Sequence, residues 1–356
     1  MSRIRLVLGI FIVFFSNNIL GQEKTTQFNG FGHVEYTLNN QNQTNSFFTL
    51  GEHDFFVNSK LSKRISFLGE YVIRYNGASA TSFLPSIERS LVKFNVAKSH
   101  NIIVGKIHTP LNYWNDVYHH GRLFFPTVDR PLAFSYLIPL HTFGIQFQGQ
   151  NIGKLKFGYD VVWGNGIAST DVFHKGTHTP VSLAMHIKPK DNMRIGVSYY
   201  NEYLPTNEFG THSGHQSNYS HHTGETYSGP VNFELACFSF AHFGKKVEIL
   251  NEFSYNRTKS DSLGHASNYS NYLYIGVPIS EVHTPYVLFD YIDVANNDLH
   301  TYQLEKYKVG LGYRCQFNYQ LNLKIQAEYE SLLHTHSGMV GFDPFLSLRM
   351  QLAYGF

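Results

Sequence analysis

The last strand-like segment of the chain alternates without a break. Leu346, Leu348, Met350, Leu352, Tyr354 and Phe356 share one parity, and Ser347, Arg349, Gln351, Ala353 and Gly355 the other. The stretch before it repeats the pattern, with Leu321, Leu323, Ile325, Ala327 and Tyr329 set against Gln320, Asn322, Lys324, Gln326, Glu328 and Glu330. A period of two puts successive side chains on opposite faces of a strand. One apolar and one charged face fit a half-buried sheet in water, or a barrel wall with hydrocarbon outside and water inside.

The same reading along the whole chain gives sixteen segments, at about 28–38, 47–60, 65–76, 87–96, 100–107, 143–150, 153–163, 181–188, 192–203, 229–243, 246–257, 268–278, 283–291, 305–317, 320–332 and 345–356. Connections after even-numbered segments are mostly short, such as Leu61 to Arg64 and Gly244-Lys245, whereas those after odd ones are long, such as 77–86, 108–142 and 204–228. A barrel with both termini on one side of a membrane requires that parity. The pattern therefore predicts an all-β, transmembrane antiparallel β-barrel of about 16 strands, with 14 and 18 as the neighbouring even counts.

Composition narrows the setting. Only 15% of the 356 residues are charged, while 30 Phe, 24 Tyr and 2 Trp make 16% aromatic, the opposite of a disordered composition. A net charge of +2 gives no nucleic-acid footprint. Ser2-Arg3-Ile4-Arg5 is a basic leader, Leu6 to Phe15 an apolar run too short to span a bilayer as a helix, and Ile19-Leu20-Gly21 a small-residue cleavage point. Residues 1–21 thus read as a secretory signal peptide and 22–356 as a single barrel domain, with the first strand starting too soon after the cleavage point for a plug domain. The expected location is the outer membrane of a Gram-negative bacterium, with outer-membrane lipid and lipopolysaccharide around the wall. Cys237 and Cys315 read as outward-facing residues of non-neighbouring strands, so no disulfide framework is expected.

If the apolar set of every strand faces lipid, the opposite set lines water. That set holds twelve cations (Arg74, Arg89, Lys93, Lys106, Lys154, Lys156, Arg194, Lys246, Lys308, Arg314, Lys324, Arg349) against twelve carboxylates (Glu35, Glu52, Asp54, Glu70, Asp160, Glu202, Glu234, Glu248, Glu252, Asp290, Glu328, Glu330). An even tally supports neither cation nor anion selectivity for the whole lumen. Cross-strand pairing of these charges is the ordinary reading.

The third long connection, 108–142, carries four prolines, seven aromatic residues and four histidines. Structureless loops of this length are usually functional, and its apolar content calls for a packing partner. The barrel interior is the available one, so an inward-folded third external loop is expected. Asp116, His119, His120, Arg122, Asp129, Arg130 and His141 become candidates for tuning selectivity or locking the loop to the wall.

The signal peptide, strand count and terminal Phe356 resemble the general and phosphate-selective porin superfamily. The string Gly105-Lys106-x-His108-Thr109-Pro110-x3-Trp114-Asn115-x3-His119-His120-Gly121, with Arg130-Pro131, His141 and Gly164-Asn165-Gly166, resembles a porin-like group of outer-membrane proteins. The resemblance implies a passive pore for small hydrophilic solutes or ions, narrowed by 108–142. It also implies delivery by the barrel-assembly machinery through Phe356, and a homotrimer as one assembly. The basic ladder of phosphate-selective members is not visible, so phosphate specificity is not carried over.

Two rival readings remain. Twenty histidines are many for 356 residues, and fourteen fall in the expected external loops. Imidazole suits zinc, copper and nickel. His212, His215, His221 and His222 are thus candidate ligands of a metal-capturing or metal-selective channel, although no cofactor is otherwise expected. An outer-membrane hydrolase would need a nucleophile, base and orienter. Neither GxSxG nor HExxH occurs, so the chain is not expected to be an enzyme.

Overall fold

A computed structural model of the chain describes residues 25–40, 45–75, 83–119, 121–166, 179–204, 231–261, 264–295, 297–298, 304–335 and 344–356. The expected signal peptide lies outside these residues. The strands are β1 (Thr25–Asn39), β2 (Asn45–Lys60), β3 (Ile65–Tyr75), β4 (Phe83–Ala97), β5 (His100–His108), β6 (His141–Ile152), β7 (Phe157–Gly164) and β8 (Val181–Lys190). They continue as β9 (Met193–Leu204), β10 (Val231–Phe243), β11 (Glu248–Ser260), β12 (Gly264–Gly276), β13 (His283–Val294), β14 (Leu304–Asn318), β15 (Leu321–Thr335) and β16 (Phe345–Gly355). Every strand pairs antiparallel with its sequence neighbours, and β1 pairs with β16 from Phe31↔Gly355 to Asn39↔Ser347. Gly30 and Phe356 exchange two backbone hydrogen bonds of 2.9 Å at the end of this seam. Closure leaves no unpaired edge, the condition for a sheet to cross hydrocarbon.

The sixteen alternating segments each correspond to one strand. The outer face is apolar, with Phe143, Trp163, Met185, Leu311 and Leu346 each more than half exposed. An apolar exterior on a closed antiparallel barrel is the architecture of outer-membrane proteins, which cross the bilayer with strands.

Three details differ from the alternation reading. Lys154, Lys156 and Lys246 are turn residues rather than wall residues, because β7 and β11 begin only at Phe157 and Glu248. Positive φ at Gly153 and Lys156 bends the chain there. Secondly, an apolar patch covers part of the inner face of β10 to β13, beside buried polar residues such as Glu252, Ser254 and Asn268: Phe233, Leu235, Cys237, Leu250, Tyr272, Tyr274, Tyr286 and Leu288 cluster with Leu111, Trp114, Phe125, Phe134 and Ile138 of the β5–β6 connection. Glu234 therefore sits on the outer face, accepting a hydrogen bond from the exposed Tyr199 hydroxyl at 3.3 Å, and Cys237 faces in rather than out. Both cysteines are buried and unbridged. The polar-inside rule fails at this patch because the inner face there meets protein, not water.

The third difference is a bulge. β3 and β4 pair Glu70↔Arg89 and then Tyr71↔Ile87, which leaves Glu88 as the extra residue. A bulge turns two successive side chains to one side, so Glu88 joins Arg89 on the inner face.

Candidate functional site

The 109–140 connection is built from two short helical turns, a π-helical turn at Trp114–Tyr118 and α1 at Leu132–Tyr136. Its two ends are tied together. Thr109 N–H donates to Leu140 O at 3.0 Å, and Asn115 Nδ2 donates to Thr109 O at 2.9 Å and Leu140 O at 3.2 Å. Asn112 (φ 67) and His119 (φ 40) hold left-handed backbone, which a non-glycine residue adopts only where the surroundings fix it. Beside the root, Gly105, Gly144 and Gly164 stand in register across β5, β6 and β7. A Cβ at Gly144 would lie 2.2 Å from Trp163 O, and Gly105 takes φ +137. Gly105 and Gly164 of the sequence string, and Gly144 between them, answer to close backbone approach.

From this root the connection reaches strands far around the wall. Asn112 N–H donates to Ser198 Oγ of β9 at 3.2 Å, Trp114 N–H to Glu252 of β11 at 2.8 Å, and Leu132 N–H to Asp290 of β13 at 2.7 Å. Thr127 meets the Tyr272 hydroxyl of β12 at 3.1 Å, Val128 N–H donates to Gln326 of β15 at 3.1 Å, and Gln351 of β16 donates to Val128 O at 3.4 Å. Phe124 packs edge-on to Phe31 of β1 at 6.2 Å. Trp114 is enclosed by Phe125, Tyr118 and Tyr272 at ring separations of 5.0, 5.2 and 5.3 Å.

A second set of anchors is ionic. Glu52 of β2 binds Arg130 at 2.7 Å and Arg74 at 3.2 Å, with Arg122 at 3.9 Å. Asp129 meets Arg349, with Arg122 at 3.4 Å and Lys308 at 3.6 Å. Burial alone would raise the Asp129 pKa, but Arg349, Lys308 and Arg122 outweigh it and hold the carboxyl well below the usual range. Asp116 pairs with Arg194 at 2.5 Å. Glu70 pairs with Arg89, Arg349 with Glu328 at 3.1 Å, and Arg314 with Glu248 at 2.8 Å. Asp54 and Lys106 are buried.

Of the sequence candidates, Asp116, Arg122, Asp129 and Arg130 thus come together with wall charges. His119 and His141 gather instead with His108 at the root of the connection, next to Glu70 and Glu88. His120, His212, His215, His221 and His222 lie outside the described residues. The anchors Glu252 and Asp290 were legible only as lumen charges. Glu88, bound by Arg74 at 2.7 Å, was missed altogether. The adjacent pair Glu88-Arg89 inside one strand was the available signal, since strict alternation cannot place both in water.

Towards the short turns the inner faces of β1 to β6 line an open cavity of about 840 Å³. Lys60, Lys63, Arg64, Lys93 and Lys98 line it, and no described lining residue is Asp or Glu. The charged part of this lining is therefore basic among the described residues.

No protein-family model and no curated protein matches the sequence. Solved structures do. The anion-selective porin from Comamonas acidovorans superposes with TM-score 0.67 at 10% identity, covering 94% of this chain and 100% of that one. OmpT expressed in the outer membrane of Vibrio cholerae gives 0.63 at 10% identity over 96% and 100%, and the outer membrane channel DcaP of Acinetobacter baumannii 0.63 at 9% over 94% and 97%. The fold of this chain is that of the sixteen-strand outer-membrane porins.

Proposed function

We propose that the chain is a passive pore of the Gram-negative outer membrane for small hydrophilic solutes, and that the 109–140 connection crosses the bore and narrows it. The observation that carries this reading is the spread of the connection's partners. One segment rooted between β5 and β6 bonds to β2, β9, β11, β12, β13, β15 and β16, and strands so distributed around a closed barrel are reached together only through its interior. Asp116, Arg122, Asp129 and Arg130 act in this reading chiefly as locks, since wall charges compensate each of them. A barrel of this strand number leaves water between the segment and the uncovered wall.

The remaining water-lined surface includes the cationic mouth, so the pore is expected to pass small anions ahead of cations. The similar Comamonas protein is itself described as anion-selective. A trimer form of Vibrio cholerae OmpT, at TM-score 0.61, supports a homotrimer as the assembly.

Planar-bilayer recording under a KCl gradient tests the reading. Stepwise currents with a reversal potential on the chloride side are expected, and Lys60→Glu with Lys93→Glu should move that potential towards potassium. A folded barrel that gives no current steps contradicts a pore. A cation-selective wild type contradicts the role given to the basic mouth.

A further inference from the structure

The root of the 109–140 connection holds a side-chain group that neither conduction nor locking uses. His108 ends β5, His141 opens β6 directly opposite it, and His119 closes the π-helical turn. The rings of His108 and His119 stack at 3.5 Å between centroids, and His141 stands edge-on to them at 5.2 and 4.7 Å. One nitrogen from each of the three rings lies within 4.8 Å of the other two. Two carboxylates adjoin the group: Glu88 Oε2 is 2.9 Å from His141 Nε2, and Glu70 Oε2 is 3.8 Å from His108 Nε2.

We infer that His108, His119 and His141, with Glu88 as the fourth donor, form a buried site for a divalent cation of the zinc class. The hydrogen bonds around the group fix donors in the manner of an outer shell. Asn115 Nδ2 donates to Thr109 O and Leu140 O, so its Oδ1 must be the acceptor in the 2.6 Å contact with His119 Nδ1. His119 Nδ1 therefore carries the proton, and Nε2 carries the lone pair that a metal takes. Glu88 is oriented in the same way, because its Oε1 accepts from Arg74 at 2.7 Å and from Ser86 at 2.6 Å, while Oε2 faces His141.

Three imidazoles and one carboxylate suit zinc by softness and by number. Tetrahedral zinc with Zn–N near 2.0–2.1 Å needs nitrogens roughly 3.4 Å apart. Reaching that spacing from the present one asks for side-chain shifts of about an ångström. A metal here joins the two ends of the connection to its first turn, and so clasps the loop at its base. The inference does not rest on conduction, since metal binding is read directly and a non-conducting barrel with this site would sink only the pore.

The test uses the full-length protein, refolded in detergent and stripped of metal, with folding checked by its heat-modifiable mobility on gels. Titration with Co²⁺ should give one equivalent per chain with the intense visible absorption of a tetrahedral site, and Zn²⁺ should displace it. His119→Gln and His141→Gln should each weaken binding by about a hundredfold or more, as loss of a ligand exceeds loss of an outer-shell partner. Replacing His212, His215, His221 and His222 together by Asn should leave the equivalent in place. Absence of stoichiometric binding by the folded wild type overturns the site. So does binding that the fourfold variant loses while His119→Gln and His141→Gln keep it. If either Gln variant fails to fold, the Co²⁺ spectrum of the fourfold variant decides: the tetrahedral absorption upholds the site and its absence overturns it.

Discussion

Replacing residues 112–133 by a short Gly-Ser bridge is expected to raise single-channel conductance several-fold. The deleted stretch contains Trp114, Phe125 and the backbone donors that reach β9, β11, β13 and β15, so little of the connection could then stay across the bore. The wall itself should survive. β5 and β6 pair from His100↔Gly149 to His108↔His141 without help from the deleted residues, and the barrel closes through β1 and β16. The cost falls on the inner face of β10 to β13, where Phe233, Leu235 and Tyr272 would meet water at roughly 1.5–3 kcal/mol for each fully uncovered side chain. A less heat-resistant but wider pore is the expected product, measured by bilayer recording beside gel mobility. Conductance equal to the wild type would show that the connection does not limit the current.

The second large effect is expected at Glu52. Three guanidiniums converge on its carboxylate, those of Arg74, Arg122 and Arg130, and its side chain is only 11% exposed. Glu52→Ala leaves them facing one another, with Glu88 still serving Arg74 and Asp129 still serving Arg122. Breaking a buried pair by removing one partner costs about 3–5 kcal/mol, since the surviving charge stays desolvated. Because Arg130 belongs to the connection and Glu52 to the wall, that cost is borne by the docked state. Open-channel current noise should rise and the temperature at which the folded band disappears should fall, with Glu52→Gln intermediate because it keeps an acceptor. Wild-type noise and heat resistance in Glu52→Ala would contradict the lock.

The barrel was legible in the sequence because a wall strand has only two faces and period two is unmistakable where one face is apolar and the other charged, as in β15 and β16. Which face looks inward was not legible where both are apolar. In β10, Phe233 and Leu235 compete with Phe238 and Phe240, and only packing against Trp114 and Phe125 decides between them. Alternation also fails at a bulge, which hid Glu88, and at turns, which removed Lys154, Lys156 and Lys246 from the wall.

Candidate chemistry was legible by segment but not by partner. The connection 108–142 stood out by length and aromatic content, and Arg122, Asp129 and Arg130 were read from it. Their partners Glu52, Lys308 and Arg349 come from β2, β14 and β16, far away in sequence. The histidine cluster depends on a π-helical turn and on left-handed backbone at His119, neither of which a hydropathy pattern encodes.

The proposed pore is a water-filled bore made narrow by its own third connection. Single-channel recording of the wild type in the presence of neutral polymers of graded size measures that bore directly. Stepwise currents that small polymers depress and larger ones leave untouched, with a cut-off well below that of the 112–133 replacement, are the predicted result. A wild type with no current steps, or one whose cut-off matches the replacement, would contradict it.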